Sequence, residues 1–533
     1  MTVVEISPPA LEPAALPPPV PRPAAQPSVR WFWVMLACLT MARLYLMVQV
    51  PLTGDEAYYW QWSRHLAWGY YDHPPGIAWL IAFFNGVFGR TLFATRLAGP
   101  FCITLTTVFL YLLGRDASRS PRIGAIGASL FLLAPLPAIG GMAVVPDAPM
   151  MACWSACTWL LYRALFADDR RSWWIAAVCL GLGIMSKLMA FFLIPSLFIF
   201  LAASPSHRSW LRRPEPYLFV LLGLLVASPF LLWNAAHHFE TFTYQATSRM
   251  KLPPSPRYFL DFLAYEAAAW SPMLFLISMW SLWTCFRRKD ARLIFMGSFC
   301  ACILLTFVAV SFRTRAGGHW PFPGYVSLMA AMALLYQPAD ARTYRLLFRI
   351  AVGFATLMTV AVYVLLANPD RVFNYVNQRT VETHGINKGQ KVSSKDLAEI
   401  YGYEELGQRV LQVQSDMAKQ HPAFVITDSY ALSSIIAFYS GLDTHVAKGS
   451  VLGREYRRWD DFDIFLGQDA VYVDLAPLGS RPDIQAMLQE AFQRVEPEAP
   501  MQVYKDGQPV RSFYLIRCYG FRDNQFRPQG GVQ

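Results

Sequence analysis

Eleven runs of apolar residues, most of them close to the length of a bilayer-spanning helix, constrain this chain more than any other feature. They cover approximately 31–50, 92–114, 121–140, 147–166, 172–187, 188–204, 216–235, 268–286, 292–312, 321–338 and 343–367. About 20 apolar residues cross the hydrocarbon core as a helix. A segment in lipid must satisfy its own backbone hydrogen bonds, and continuous rather than alternating apolar runs select helices over a barrel. The chain is 55% hydrophobic and only 15% charged, against about 25% charged in soluble domains. The expected fold class is a polytopic α-helical membrane protein with about 11 transmembrane helices. The runs 172–187 and 188–204 also read as one kinked helix.

The flanks differ from this membrane domain, 29–367. Residues 1–28 are rich in Pro and Ala and lack a basic signal-peptide region, so a disordered cytoplasmic tail is expected. From 368 the composition becomes that of a soluble domain. "AFVITD", "AVYVDL" and "SFYLIRCYGF" read as strands, and "SSKDLAEIYGYEELGQRVLQVQSDMAKQ" reads as mainly helix. Residues 368–533 are therefore expected to form an α/β domain, disordered after Phe521.

Cations set the orientation. Sixteen sit in five short links: Arg115, Arg119, Arg122; Arg163, Arg170, Arg171; Arg208, Arg212, Arg213; Arg287, Arg288, Lys289, Arg292; and Arg342, Arg345, Arg349. These links are expected in the cytoplasm. The 51–91 first loop, the 236–267 loop and the C-terminal domain then face outward, into the periplasm if this is a bacterial inner membrane. The same clustering accounts for the net charge of +10, so no nucleic-acid partner is expected. Eight of nine cysteines lie in apolar segments as small filler, and Cys518 has no partner thiol in its domain.

The polar residues that stand out lie on the outward side. "GDEAYYWQWSRHLAWGYYDHPPG" brings Asp55, Glu56, Asp72 and His73 together with Tyr58, Tyr71 and other aromatics. Glu56 and His65 read as parts of a solvated helix end. Interfacial aromatics alone are an anchoring belt, but acids beside a rigid "HPPG" read as the wall of a cavity. Asp147 opens the fourth run, either as a helix cap or facing Asp55 across a water-filled space. Lys187 in "GIMSKLMAFF" has no acid near it in sequence, and "SFRTRAGGHWPFPGY" adds Arg313, Arg315 and His319. Unpaired cations beside acids suit a ligand carrying phosphate. Nucleotide donors are scarce outside the cytoplasm, so the expected donor is a polyprenyl-phosphate sugar. Its phosphate leaves if cations stabilise the charge, and a carboxylate takes the proton of the acceptor hydroxyl. Asp55 is the candidate base and Asp147 the orienting acid. Lys187, Arg313 and His319 are the candidates for the phosphate.

The first-loop motif, the lone Asp at the start of a later span, "MSK" and "HWPFPGY" resemble bacterial membrane glycosyltransferases of the GT-C class, relatives of protein O-mannosyltransferases and of the lipid A aminoarabinose transferase. The "YYDHPPG" style looks most like rhizobial lipid A and core galacturonosyltransferases. The resemblance spans about 31–340 and implies the GT-C fold. It places the catalytic acid on Asp55, the second loop acid on Asp72, the later acid on Asp147 and the lysine near the lipid phosphate on Lys187. In the aminoarabinose transferase the position of His73 is usually Lys. The resemblance further points to a divalent metal near Asp72, held by His237 or His238, although the transfer chemistry requires no metal. In the C-terminal part, "SYALSSIIAFYSG" and "GREYRRWDDF" look like stretches of the same branch; Arg454 and Trp459 are expected at a packed domain interface, the alternative being that they meet the acceptor.

The implied function is an inverting-type transfer of one sugar to a lipid or glycan acceptor, lipid A or core above others, by a monomer surrounded by membrane lipid. The sugar stays open between galacturonate, whose carboxylate Arg313 and Arg315 would suit, aminoarabinose, which would want a further acid, and a neutral hexose, which would need neither. Two alternatives stay open: a flippase or transporter of lipid-linked sugars, and an enzyme of protein O-mannosyltransferase type with a protein acceptor. The chain shows no internal repeat of the kind transporters are built from.

Overall fold

The computed structural model describes residues 28–248, 255–338, 341–369, 371, 381–382, 391–392, 401–447, 453–505 and 507–522. Nearly all of both expected tails, and the start of the helix read from 393 onward, lie outside the described residues. Every apolar run is helical over most of its length. Three helices, Leu92–Ser118, Ala291–Ser311 and Arg342–Ala367, are long and apolar enough to cross a membrane alone, and up to five spans result if two bent pairs each count as one. The other runs form shorter apolar helices. Proline and its neighbours set the breaks: the sharpest bend, 105°, separates Pro256–Trp270 from Pro272–Arg287, where the Ser271 hydroxyl accepts the Leu274 amide at 3.3 Å. The run across 172–204 is two helices. The chain leaves the helix Arg170–Ile184, is extended at Lys187 (φ −159°, ψ 142°) and restarts at Leu188.

The first loop, 51–91, is mostly helical rather than open loop. Helix Gly54–Arg64 starts from a capping box at Thr53, and "HPPG" then starts a second helix, Gly76–Phe88. The latter buries Ile77, Ala78, Ile81 and Phe84 while exposing Phe83, Val87 and Phe88, the pattern of a helix lying at a lipid interface.

The C-terminal domain is built on a mixed sheet. Its strands run in the order Thr444–Val446, Ala423–Thr427, Asp469–Asp474, Gln508–Phe521, Phe492–Pro497, with Met501–Lys505 also on Gln508–Phe521. The first three pair in parallel and the rest antiparallel. Alternation along the strands feeds two cores. Val425, Val471, Val473 and Leu515 meet helices Tyr403–Ala418 and Tyr430–Ser440, while Phe424, Ile426, Tyr472 and Ile516 meet helix Pro482–Ala491. Helix Tyr430–Ser440 also packs on Gly54–Arg64, so closely that a Cβ on Gly54 would stand 2.6 Å from that of Ala431. The domain thus sits directly on the motif that the sequence singles out.

Candidate active site

Asp55 and Glu56 are neighbours with opposite fates. Glu56 is 1% exposed. Its carboxylate accepts the Thr53 amide at 3.0 Å and takes two hydrogen bonds from Arg96, at 2.8 and 2.5 Å. It also accepts the Val144 amide at 3.0 Å. Arg96 in turn donates to the carbonyls of Met47, Val50 and Pro51. This pair ties the chain leaving the first helix to the approach to Asp147. Asp55, one residue earlier in the same turn, is exposed.

The C-terminal domain reaches Asp55. The Tyr430 hydroxyl donates to Asp55 Oδ1 at 2.8 Å, and burial followed by the charge of Asp55 pushes that phenol up, so it stays a donor. The Arg454 guanidinium lies 4.0 Å from the centre of the Tyr430 ring and donates to Asp72 Oδ2 at 2.9 Å. Asp55 and Asp72 are therefore joined through two residues from the far end of the chain. Asp72 is 2% exposed, and its Oδ1 has no hydrogen-bond partner among the described residues. Burial pushes its carboxyl up to about 6, against the opposing pull of Arg454.

That raised pKa carries a pH dependence. The folded protein holds the Asp72 proton more tightly than the unfolded chain does. The resulting stability is present below the ordinary carboxylate pKa and is lost as pH rises from about 4 through about 6; the size is on the order of 3 kcal/mol. Melting temperatures of the wild type and Asp72→Asn, measured from pH 4 to 7, should therefore shift in favour of the variant as pH rises. A constant difference between them would remove Asp72 as the titrating group.

Asp147 begins helix Asp147–Phe166, and both its oxygens accept Lys187 Nζ, at 2.7 and 2.6 Å. Lys187 is 6% exposed and is not the unpaired cation the sequence indicated: its acid lies 40 residues away and was invisible locally. The "HPPG" turn docks on the break that carries Lys187. The Gly76 amide donates to the Met185 carbonyl at 2.8 Å, and a Cβ there would meet Ser186 Oγ at 2.6 Å. His73 and His319 lie within electrostatic reach of Asp147. The buried Tyr59 hydroxyl feels Asp55, Asp72 and Asp147 together, and after burial itself these three charges push its pKa well up. The three acids named from the sequence thus all lie within electrostatic reach of one side chain.

Other expected residues lie elsewhere. Tyr58 is fully buried, accepts the Glu455 amide at 2.9 Å and packs on Tyr430, Tyr456 and Trp459. It binds the two domains together and offers no surface to a substrate. Trp60 does likewise on Phe438, and the neighbouring Gln61 amide donates to the Tyr456 hydroxyl. Trp459 stacks on His65, so the interface expected there is found. The Tyr71 amide donates to Glu455 at 2.7 Å while its half-buried ring meets Tyr244. Arg313 is exposed beside Leu305, Ala309 and Val310, and the Arg315 guanidinium lies 5.7 Å from the Tyr258 ring centre. Among the described contacts, neither arginine meets Asp147 or Lys187. Asp72, His237 and His238 do not gather into a metal site. Among the described residues no group of three His, Cys, Asp or Glu could hold one; Asp72 is held by Arg454, and His237 stacks on Trp233 with its Nδ1 on that residue's carbonyl.

Sequence reading missed Tyr430 and the role of Arg96. Tyr430 stood in the stretch "SYALSSIIAFYSG" without a role, and Arg96 stood as a cation at the edge of an apolar run.

Comparison with known proteins bears on the family and the fold. A family described as dolichyl-phosphate-mannose-protein mannosyltransferase matches residues 72–233, which include Asp72, Asp147 and Lys187 but not Asp55. The lipid A galacturonosyltransferase RgtD of Rhizobium johnstonii is 28% identical over 53% of this chain and 60% of its own length. The undecaprenyl phosphate-alpha-4-amino-4-deoxy-L-arabinose arabinosyl transferase of Pseudomonas aeruginosa is 30% identical over 36% of this chain and 34% of its own. The chain thus spans less than two thirds of these relatives. The crystal structure of ArnT from Cupriavidus metallidurans bound to undecaprenyl phosphate superimposes with a TM-score of 0.62, covering 95% of this chain and all of that one at 17% identity. The fold is shared with that protein: a polytopic helical membrane domain with a C-terminal sheet domain. The resemblance to GT-C membrane glycosyltransferases is borne out.

Proposed function

We propose that this chain, with its GT-C fold, transfers a single sugar from a polyprenyl-phosphate donor to lipid A or the attached core, at the periplasmic face of a bacterial inner membrane. The observation that carries the reading is the exposed Asp55 joined to Asp72 through Tyr430 and Arg454, with Lys187 paired to Asp147. Asp55 is the exposed acid and takes the proton of the acceptor hydroxyl as its oxygen attacks the anomeric carbon. A single displacement of this kind inverts the anomeric centre. Lys187, shared with Asp147, meets the phosphate as it leaves and develops charge. Asp72, buried against Arg454, holds that guanidinium beside Tyr430 and so positions the groups around Asp55. Nothing in these steps calls on a metal. A uronic acid brings a carboxylate of its own, and Arg454 is the cation nearest Asp55 in the chain of contacts. This placement, with the likeness to a lipid A galacturonosyltransferase, favours galacturonate.

The test is mass spectrometry of lipid A after incubation with purified protein and polyprenyl-phosphate galacturonate. A gain of one hexuronate is expected. Transport of donor across proteoliposomes with no new glycosidic bond would replace the reading with a flippase. A product formed only from another polyprenyl-phosphate sugar would keep the transfer and discard galacturonate.

A further inference from the structure

A basic cavity lies at the far end of the bundle. Helix Arg342–Ala367 has 26 residues and so runs about 39 Å. Its end at Ala367 lies beside Gln49 and Pro51, next to the opening motif, which places Arg342 at the opposite end. There a cavity of about 610 Å³ is lined by Arg122, Arg342, Arg345 and Arg349 together with Tyr336 and Gln337. Arg349 Nε donates to the Tyr336 hydroxyl at 3.2 Å, and Arg345 donates to the Pro338 carbonyl at 3.1 Å. Among the described residues no carboxylate pairs with Arg122, Arg342 or Arg349. Asp340, in the same link, lies outside the described residues, and the four arginines outnumber it. The neighbouring cavity around Arg115, Arg119 and Arg163 differs, because two of its three cations already have carboxylate partners: Arg115 pairs with Asp116 at 2.7 Å and Arg163 with Asp169 at 2.8 Å.

We infer that this cavity binds the phosphate head of an anionic phospholipid. Guanidinium groups grip phosphate oxygens in pairs, and basic pockets between membrane helices on the inner side hold lipid head groups. The apolar wall argues for a lipid over a free phosphate. Leu346 lines the cavity, and from it Ile350, Phe354 and Leu357 rise on the same helix, all exposed. Their spacing of three and four residues makes one stripe, a track for an acyl chain leading away from the arginines.

Native mass spectrometry of the full chain tests this after exposure to vesicles of phosphatidylglycerol or of phosphatidylcholine. The wild type should retain the anionic lipid over the zwitterionic one, and a triple variant, Arg122→Gln, Arg342→Gln and Arg349→Gln, should lose at least about tenfold of that retention. Arg163→Gln, which removes a cation already paired with Asp169, should lose none. If the triple variant fails to fold, Arg342→Gln alone, at an exposed position, should give a smaller loss in the same direction. Equal retention of both lipids by the wild type, or unchanged retention in the folded variants, overturns the inference. So does inorganic phosphate that binds the same arginines while lipid does not.

Discussion

Asp55→Asn is expected to lower transfer turnover by about 10²–10⁴-fold, the range that a positioned general base contributes, with little change in melting temperature. The substitution preserves the shape of the side chain and leaves an oxygen to accept the Tyr430 hydroxyl. It removes only the capacity to take a proton. Because Asp55 is exposed, no buried charge is left without its partner. Donor affinity should therefore hold while kcat falls, the signature of an interaction made in the transition state. Transfer at the wild-type rate would displace Asp55 from the chemistry and move attention to Asp72 or Asp147. Tyr430→Phe distinguishes orientation from proton transfer. It deletes one hydrogen bond to Asp55 and should cost far less than Asp55→Asn.

The apolar runs were legible as helices because lipid forces helix and apolarity to coincide, although among the described residues only three to five spans are long and apolar enough to cross. Each of the eleven runs is found as helix. Helix Gly76–Phe88 was missed for a related reason: at 13 residues it is too short to announce a span and is bounded by turn residues. The three acids could be picked out because carboxylates beside a membrane are costly unless they have work or a partner. Their partners could not. Lys187 meets Asp147 from 40 residues away, and Tyr430 meets Asp55 from 375, separations over which local pattern carries no information. The aromatics misled for the same reason. Tyr58 and Trp60 read as substrate walls until the C-terminal domain is seen resting on them.

Glu56, next in sequence to the proposed base, should behave in the opposite way. Glu56→Ala leaves Arg96 buried and without its carboxylate, and breaking a buried ion pair from one side costs about 3–5 kcal/mol. The Thr53 cap loses its reciprocal bond and the Val144 amide its acceptor, so the loss should fall at the upper end of that range. Activity would then drop in proportion to folded protein, with kcat per folded molecule nearly unchanged. Changing both partners, Glu56→Ala with Arg96→Leu, removes the stranded charge and should recover part of the stability. Recovery should be incomplete, because the carbonyls of Met47, Val50 and Pro51 lose the donors that Arg96 supplies. Thermal unfolding in detergent, paired with turnover normalised to folded protein, separates the two acids. If Glu56→Ala kept its melting temperature and lost turnover as Asp55→Asn does, the division of labour between these adjacent carboxylates would be overturned.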